Sequence, residues 1–231
     1  MTLSIAIAQI NATVGDLAGN AARILDFARR AKAQGADLLL TPELVLCGYP
    51  PEDLLLRDDF YDACARELDA LAAAAPGIAM LVGHPLAKDG NYYNAATLID
   101  GAGVRVATYC KQRLPNYEVF DEERYFDSGD APCVVELKGV RCAINICADV
   151  WEAGTADQAR DAGAQLLLVL NASPYHVGKQ ALRAEVLRER IAATGLPVIY
   201  ANLVGGQDEL VFDGGSLALD AHGEVRCQLA K

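Results

Sequence analysis

The sequence has few of the features that mark disulfide-rich, metal-binding or membrane proteins. The 231-residue chain has three scattered histidines and seven cysteines, an odd number with no Cys-x-x-Cys pair. A disulfide framework and a zinc site are therefore poorly supported, and a reducing cytoplasm is the expected location. No apolar run reaches the length of a membrane span, and the N-terminus lacks the pattern of a signal peptide.

The chain also lacks an excess of positive charge. Its formal net charge is −11, and no run of Lys or Arg forms a cationic stripe. Nucleic acid and anionic membrane surfaces are therefore not expected partners. Hydrophobic residues make up 52% of the chain, which is enough for one large domain with a substantial core.

Apolar runs of strand length alternate with longer helical patterns, which indicates a mixed α/β fold. Glycine-containing turns join three pairs of runs into hairpins, and these argue against a purely parallel sheet. Two mixed β-sheets packed face to face with helices outside each, a four-layer α-β-β-α sandwich, fit better. The predicted strands are 3–10, 37–41, 78–83, 95–100, 104–110, 133–137, 140–146, 165–171, 197–202, 217–220 and 224–229, and the predicted helices are 20–34, 58–75, 155–162 and 178–194.

Three chemically reactive residues each follow a predicted strand: Glu43, Lys111 and Cys147. Strand ends meet at one edge of a sheet, so these side chains can share a pocket although they are far apart in sequence. A carboxylate can take a proton from a thiol, and a lysine can stabilise an oxyanion. Together they predict an acyl-transfer site that needs no histidine.

Each of the three residues also has an ordinary structural explanation. A cysteine at a strand end is commonly a small core residue, and a glutamate after proline is commonly a loop carboxylate or a helix start. A lysine after a strand is usually solvated. Spacing alone favours these structural roles over a catalytic one.

The local motifs resemble the nitrilase, or carbon–nitrogen hydrolase, superfamily over nearly the whole chain. Leu-Thr-Pro-Glu-Leu at 40–44, Cys110-Lys111 and Asn-Ile-Cys at 145–147 carry this resemblance. The stretches at 42–56, 111–126 and 171–179 more specifically resemble the glutaminase domain of glutamine-dependent NAD synthetases. The resemblance implies glutamine hydrolysis through a cysteine thioester, with the ammonia used for ATP-dependent amidation of deamido-NAD to NAD.

The resemblance implies a role for each residue that matches a family motif. Glu43 corresponds to the general base, Lys111 to the oxyanion-stabilising lysine and Cys147 to the nucleophile. Glu122 matches a second glutamate that supports the lysine and positions the amide, although its neighbour Glu123 could be confused with it.

Three further positions match residues that bind L-glutamine in the synthetase branch. They are Tyr117, Ser173 and Lys179. For Tyr117 and Ser173 the alternative is a role in loop packing. One position departs from the branch, which usually reads Cys-Glu-Asp-x-Trp, because Ala148 follows the cysteine here. Two outcomes stay open: weaker recognition of the substrate's α-amino group, or replacement by another acid such as Glu118.

Residues 1–231 are expected to form a single domain that lacks the synthetase part of the family's longer enzymes. Their Ser-Gly-Gly-x-x-Ser pyrophosphate loop does not occur in this sequence. No metal and no cofactor are expected for this domain, and ATP and Mg²⁺ are implied only for the synthetase domain. The implied partners are L-glutamine, that C-terminal domain and further copies of the chain in a homo-oligomer.

Three hypotheses for function remain open from the sequence. The first is the glutamine amidohydrolase, and the second is a stand-alone amidase or nitrilase of another substrate. The third is a degenerate domain that serves only in assembly or regulation, for which Ala148 is the one support.

Overall fold

The chain folds around two β-sheets that pack face to face. The computed structural model describes residues 2–117 and 119–231. The first sheet has the order β1-β2-β3-β4-β5, with the first three strands parallel and the last two antiparallel. Its strands are β1 (Ile5–Ile7), β2 (Leu38–Leu40), β3 (Ala79–Lys88), β4 (Asn91–Ile99) and β5 (Arg105–Cys110).

The second sheet has the order β13-β12-β9-β8-β7-β6. Strands β9, β8 and β7 are parallel, β12 and β6 pair antiparallel with β9 and β7 respectively, and β13 pairs antiparallel with β12. Its strands are β6 (Cys133–Leu137), β7 (Val140–Ile146), β8 (Leu166–Asn171), β9 (Val198–Asn202), β12 (Leu217–Leu219) and β13 (Val225–Gln228). A separate hairpin is formed by β10 (Val204–Gln207) and β11 (Leu210–Asp213).

Helices cover the outer face of each sheet. The first sheet is covered by α1 (Leu17–Ala33) and α2 (Asp58–Ala73), and the second by α4 (Thr155–Asp161) and α5 (Lys179–Thr194). A four-residue helix, α3 (Ala148–Trp151), follows β7, and short 3₁₀ helices span Glu52–Leu56 and Glu122–Arg124. Helix and sheet layers therefore follow the α-β-β-α order that the sequence predicted.

Alternating side chains of the inner strands pack either into the core between the two sheets or into the core under the outer helices. In β2, Leu38 and Leu40 pack against the other sheet, whereas Leu39 packs under the helices of its own sheet. In β7, Ile144 lies between the sheets and Ala143 faces the outer helices. Because side chains alternate across a strand, a short strand buried on both faces reads as a continuous apolar run. Full burial of one leucine contributes about 2 kcal/mol.

The structure confirms the three predicted hairpins, which are β4–β5, β6–β7 and β12–β13. It adds two others, β3–β4 through Asp89-Gly90 and β10–β11, the second in a stretch for which no strand was predicted. The first helix begins three residues earlier than predicted, because the Asp16 side chain accepts a hydrogen bond from the Gly19 amide and caps it. Within the described residues, no helix is both long and apolar enough to cross a membrane.

Candidate active site

The structure brings Glu43, Lys111 and Cys147 together, although they come from both sheets. Glu43 follows β2 and Lys111 follows β5 in the first sheet, whereas Cys147 follows β7 in the second. All three are buried, with exposed fractions of 0%, 0% and 6%. The strand ends of the two sheets therefore meet at one closed site.

Glu43 is held by hydrogen bonds to both carboxylate oxygens. Oε1 accepts from Lys111 Nζ at 2.7 Å and from Asn94 Nδ2 at 2.8 Å, and Oε2 accepts from the Ala172 amide at 3.0 Å. The segment that carries Glu43 crosses β3 closely at Gly83, where a Cβ would lie 2.6 Å from the Leu44 nitrogen. A side chain at that position would displace the glutamate.

Lys111 lies between two carboxylates. Besides its contact with Glu43, its Nζ donates to Glu122 Oε1 and Oε2 at 2.7 and 2.8 Å. Burial opposes the charged form, but the charges of Glu122 and Glu43 outweigh it and raise the pKa of Lys111. The lysine is therefore an ammonium whose position is fixed by its two neighbours.

Glu122 lies at the start of the 3₁₀ helix Glu122–Arg124 and is buried, whereas Glu123 is exposed. The structure thus distinguishes these two neighbours, which the sequence could not. Burial and the charge of Glu43 raise the pKa of Glu122 and Lys111 lowers it, with a net result of about 7. The Tyr49 hydroxyl also lies 3.5 Å from Glu122 Oε1. A carboxyl group near Lys111 is therefore poised to change its charge close to neutral pH.

Cys147 occupies a strained turn between β7 and α3. Its backbone has φ 43° and ψ −101°, a conformation that L-residues rarely adopt and that costs about 1–3 kcal/mol. Its amide donates to the Leu170 carbonyl at 2.9 Å, which anchors the turn to β8. Burial and the neighbouring Glu43 carboxylate raise the pKa of the Cys147 thiol, while Lys111 lowers it. The thiol therefore needs a base to take its proton when it attacks.

A cavity of about 220 Å³ opens above Cys147. The three residues predicted to bind substrate, Tyr117, Ser173 and Lys179, all line it. The Lys179 ammonium lies 4.1 Å from the centre of the Trp151 ring, a cation–π contact that orients the lysine. The cavity is further lined by Pro115, Phe120, Cys147, Ala148, Trp151, His176 and Leu182. Glu118, the alternative acid, lies outside the described residues.

Several residues that hold the site in place were missed from the sequence. Asn94 on β4 donates a hydrogen bond to Glu43, and the sequence around Asn94 gave no signal of this role. Arg183 on α5 is fully buried and holds the loop of Ser173, donating to the Ser173 carbonyl at 2.8 Å and to Asp213 at 2.7 Å. A basic residue at a buried helical position is the one signal that could have marked Arg183 in the sequence.

The part of the chain that the structure describes contains neither a candidate metal-ion site nor a disulfide. No group of three or more His, Cys, Asp or Glu side chains there is arranged to hold a metal ion. All seven cysteines are free. The reactive side chains gathered at the site are the Cys147 thiol, the Glu43 and Glu122 carboxyls and the Lys111 ammonium.

The sequence is similar to a known protein family and to several curated proteins. The carbon–nitrogen hydrolase family matches residues 4–231. A glutamine-dependent NAD(+) synthetase of Xanthomonas campestris is 47% identical over 97% of this chain, and one of Thermotoga maritima is 41% identical over 96%. The matches span only 41% and 39% of those relatives, so the chain covers about two fifths of their length.

Solved structures give the same grouping. A glutamine-dependent NAD+ synthetase from Acinetobacter baumannii superposes with a TM-score of 0.94 at 37% identity, covering 99% of this chain and 43% of that one. An amidase from Nesterenkonia sp. AN1 superposes with a TM-score of 0.88 at 31% identity, over 99% of this chain and 89% of that one. That amidase structure carries acrylamide added to its active-site cysteine. The chain belongs to the carbon–nitrogen hydrolase family.

Proposed function

We propose that this chain is a glutamine amidohydrolase domain that releases ammonia through a thioester on Cys147. The observation that carries the proposal is the closed cluster of Glu43, Lys111 and Cys147 beneath a cavity that opens to solvent. Glutamine-dependent synthetases among the curated relatives, which match this chain at 39–47% identity, support glutamine as the substrate.

The first half of the proposed reaction forms the thioester. Glu43 takes the proton of the Cys147 thiol as sulfur attacks the side-chain amide carbon, which forms the C–S bond and an oxyanion. The Lys111 ammonium and a backbone N–H near Ala148 stabilise that oxyanion, each contributing about 3–4 kcal/mol. The C–N bond then breaks, and Glu43 returns the proton to the departing ammonia.

The second half of the reaction hydrolyses the thioester. Glu43 removes a proton from water, the hydroxide attacks the thioester carbon, and the C–S bond breaks as Glu43 returns the proton to the leaving sulfur; this gives the free thiol and glutamate, whose new carboxyl group ionises to solvent. Glu122 keeps Lys111 in place through its two hydrogen bonds and positions the amide. Tyr117, Ser173 and Lys179 bind the amino-acid end of L-glutamine from the cavity wall.

In the whole polypeptide the ammonia supplies a C-terminal synthetase domain that amidates deamido-NAD to NAD. The length of the curated relatives supports such a partner domain. ATP and Mg²⁺ are proposed for that domain alone, and no step on residues 1–231 uses them. A homo-oligomer and a cytoplasmic location complete the proposal, and seven free thiols fit a reducing compartment.

The rival function is a stand-alone amidase that acts on another amide. Its support is the Nesterenkonia amidase, which this chain matches over 89% of that chain at 31% identity. The two functions differ in substrate preference, since a glutaminase prefers glutamine over short aliphatic amides such as propionamide. A kcat/KM ratio in favour of propionamide would support the rival.

The central test replaces the nucleophile in the full-length polypeptide. Cys147→Ala removes the thiol that forms the thioester, so glutamine-dependent ammonia release should fall below detection. Cys227→Ala is the matched control, because Cys227 is an exposed thiol far along the chain from Cys147. Ammonia release that survives Cys147→Ala at the level of the control would contradict the assignment of the nucleophile.

A further inference from the structure

We propose that Asp149 is a positioning residue that holds the strand ends carrying Cys147 and Lys111 at a fixed separation. Asp149 lies in α3, two residues after Cys147, and its side chain is fully buried. It faces the chain that follows Lys111 as well as the chain that precedes Cys147. The inference rests on the proposed roles of Cys147 and Lys111.

Both carboxylate oxygens of Asp149 accept hydrogen bonds, and together they reach strand ends of both sheets. Oδ1 accepts from the amides of Gln112 at 3.1 Å and Arg113 at 2.9 Å, directly after Lys111. Oδ2 accepts from the Ile146 amide, directly before Cys147, at 2.8 Å. One carboxylate therefore joins the end of β5 in the first sheet to the end of β7 in the second.

A fourth donor completes the arrangement. The Tyr109 hydroxyl on β5 donates to Oδ2 at 2.8 Å. Four donors converge on Asp149 within the described residues, and a carboxylate is the side chain whose oxygens can accept from all four. The Asp149 carbonyl also accepts from the Thr155 hydroxyl, which fixes α3 to the start of α4.

This arrangement matters because the main-chain amides of Cys147 and Lys111 are each anchored within their own sheet. The Cys147 amide donates to Leu170 on β8, and the Lys111 amide donates to Asn94 on β4. A small slide of one sheet over the other would change the distance between thiol and ammonium. The four hydrogen bonds of Asp149 resist that slide next to both residues, and a misplacement of about 1 Å costs about 100-fold in rate.

The test is Asp149→Asn in the full-length polypeptide. Asparagine has the same shape but only one acceptor oxygen, so its NH₂ group must face at least one backbone N–H. If the oxygen stays with Gln112 and Arg113, the NH₂ faces Ile146 beside Cys147. Tyr109→Phe is the matched control, because it removes one of the four hydrogen bonds and leaves all three backbone contacts in place.

Three quantities separate positioning from a loss of folded protein. The fraction of competent sites is counted by labelling Cys147 with iodoacetamide and measuring the adduct by mass spectrometry. We then expect kcat per labelled site to fall about 100-fold in Asp149→Asn, with KM for glutamine unchanged. The labelling rate of Cys147 should fall as well, and Tyr109→Phe should lower kcat by about fivefold at most.

The outcomes distinguish this inference from the proposed function. A lower count of labelled sites, with normal kcat per site and normal labelling rate, would show a merely structural aspartate and overturn the inference. If the polypeptide without any substitution released no ammonia from glutamine, the proposed function would fail. The labelling rate of Cys147 would still decide the role of Asp149, since it needs no substrate.

Discussion

The floor and the rim of the cavity are built from the same chain in opposite ways. The floor consists of Cys147, which lines the cavity, and of Glu43, Lys111 and Glu122, which are buried next to it; its residues are at most 6% exposed and are linked by charged hydrogen bonds. The rim, formed by Tyr117, Ser173 and Lys179, lies on loops and at a helix start; Tyr117 is 54% exposed and Lys179 partly exposed, whereas Ser173 is buried. Groups that must react are all buried, whereas two of the three groups that must admit a substrate stand on segments open to solvent.

The two carboxylates beside Lys111 explain how the floor can be buried so completely. An isolated buried ammonium is costly, but Lys111 has two carboxylates at 2.7 Å, one on each side. Such a cluster is not a strong source of stability, because desolvation offsets much of the attraction. Its effect is that removing Lys111 would leave two buried carboxylates without a counter-charge. The floor should therefore lose stability and turnover together, whereas the rim should lose affinity alone.

The largest effect is expected for Lys111→Met, which removes the cation between two buried carboxylates. We expect undetectable turnover and a loss of about 3–5 kcal/mol in the free energy of unfolding, since Glu43 and Glu122 remain buried without a partner. Glutaminase assays and urea denaturation measure the two effects. Lys88→Met, at an exposed lysine, should change neither. A stable, active Lys111→Met protein would remove the distinction between floor and rim.

A smaller effect is expected from the ionisation of Glu122 in the floor, which should make kcat depend on pH. Because the pKa of Glu122 is raised to about 7, mainly by burial, its carboxylate is lost as pH falls through neutrality. Since the ionised form holds Lys111 through both oxygens, kcat should rise with pH across this range.

In Glu122→Gln the rise in kcat near pH 7 should flatten, because the side chain no longer ionises, and the plateau should be about 10- to 100-fold lower. The measurement is kcat at saturating glutamine from pH 5.5 to 8.5. An unchanged midpoint near pH 7 in the variant would assign the ionisation to another member of the cluster.

The sequence predicted the floor better than the contacts that hold it. Glu43, Lys111 and Cys147 could be found because each follows a strand and each stands in a motif that resembles the carbon–nitrogen hydrolases; strand position alone left the structural explanations ahead. The amide of Ala172, which donates to Glu43 from 129 residues away, left no local pattern. The same is true of Asn94 and of the four donors to Asp149, three of which are backbone amides.

Strand lengths were also misjudged where pairing overrides local signals. The sequence predicted that β3 would end at residue 83, because His84-Pro85 follows and proline usually ends or borders a strand. The strand continues to Lys88 because β4 pairs with it over its whole second half. No strand was predicted between residues 202 and 217, although Val204–Gln207 and Leu210–Asp213 pair there as a short hairpin.

The smallest effect is expected at the rim, for Lys179→Met. Methionine keeps an apolar contact with the Trp151 ring but removes the ammonium that lies over it. If Lys179 binds the charged end of glutamine and takes no part in bond making, KM should rise about tenfold, equivalent to about 1.4 kcal/mol, with kcat unchanged. Lys138→Met, in the turn between β6 and β7, is the control and should leave both constants as they are. A fall in kcat without a change in KM would place Lys179 with the floor, because an interaction made only in the transition state lowers kcat and kcat/KM equally.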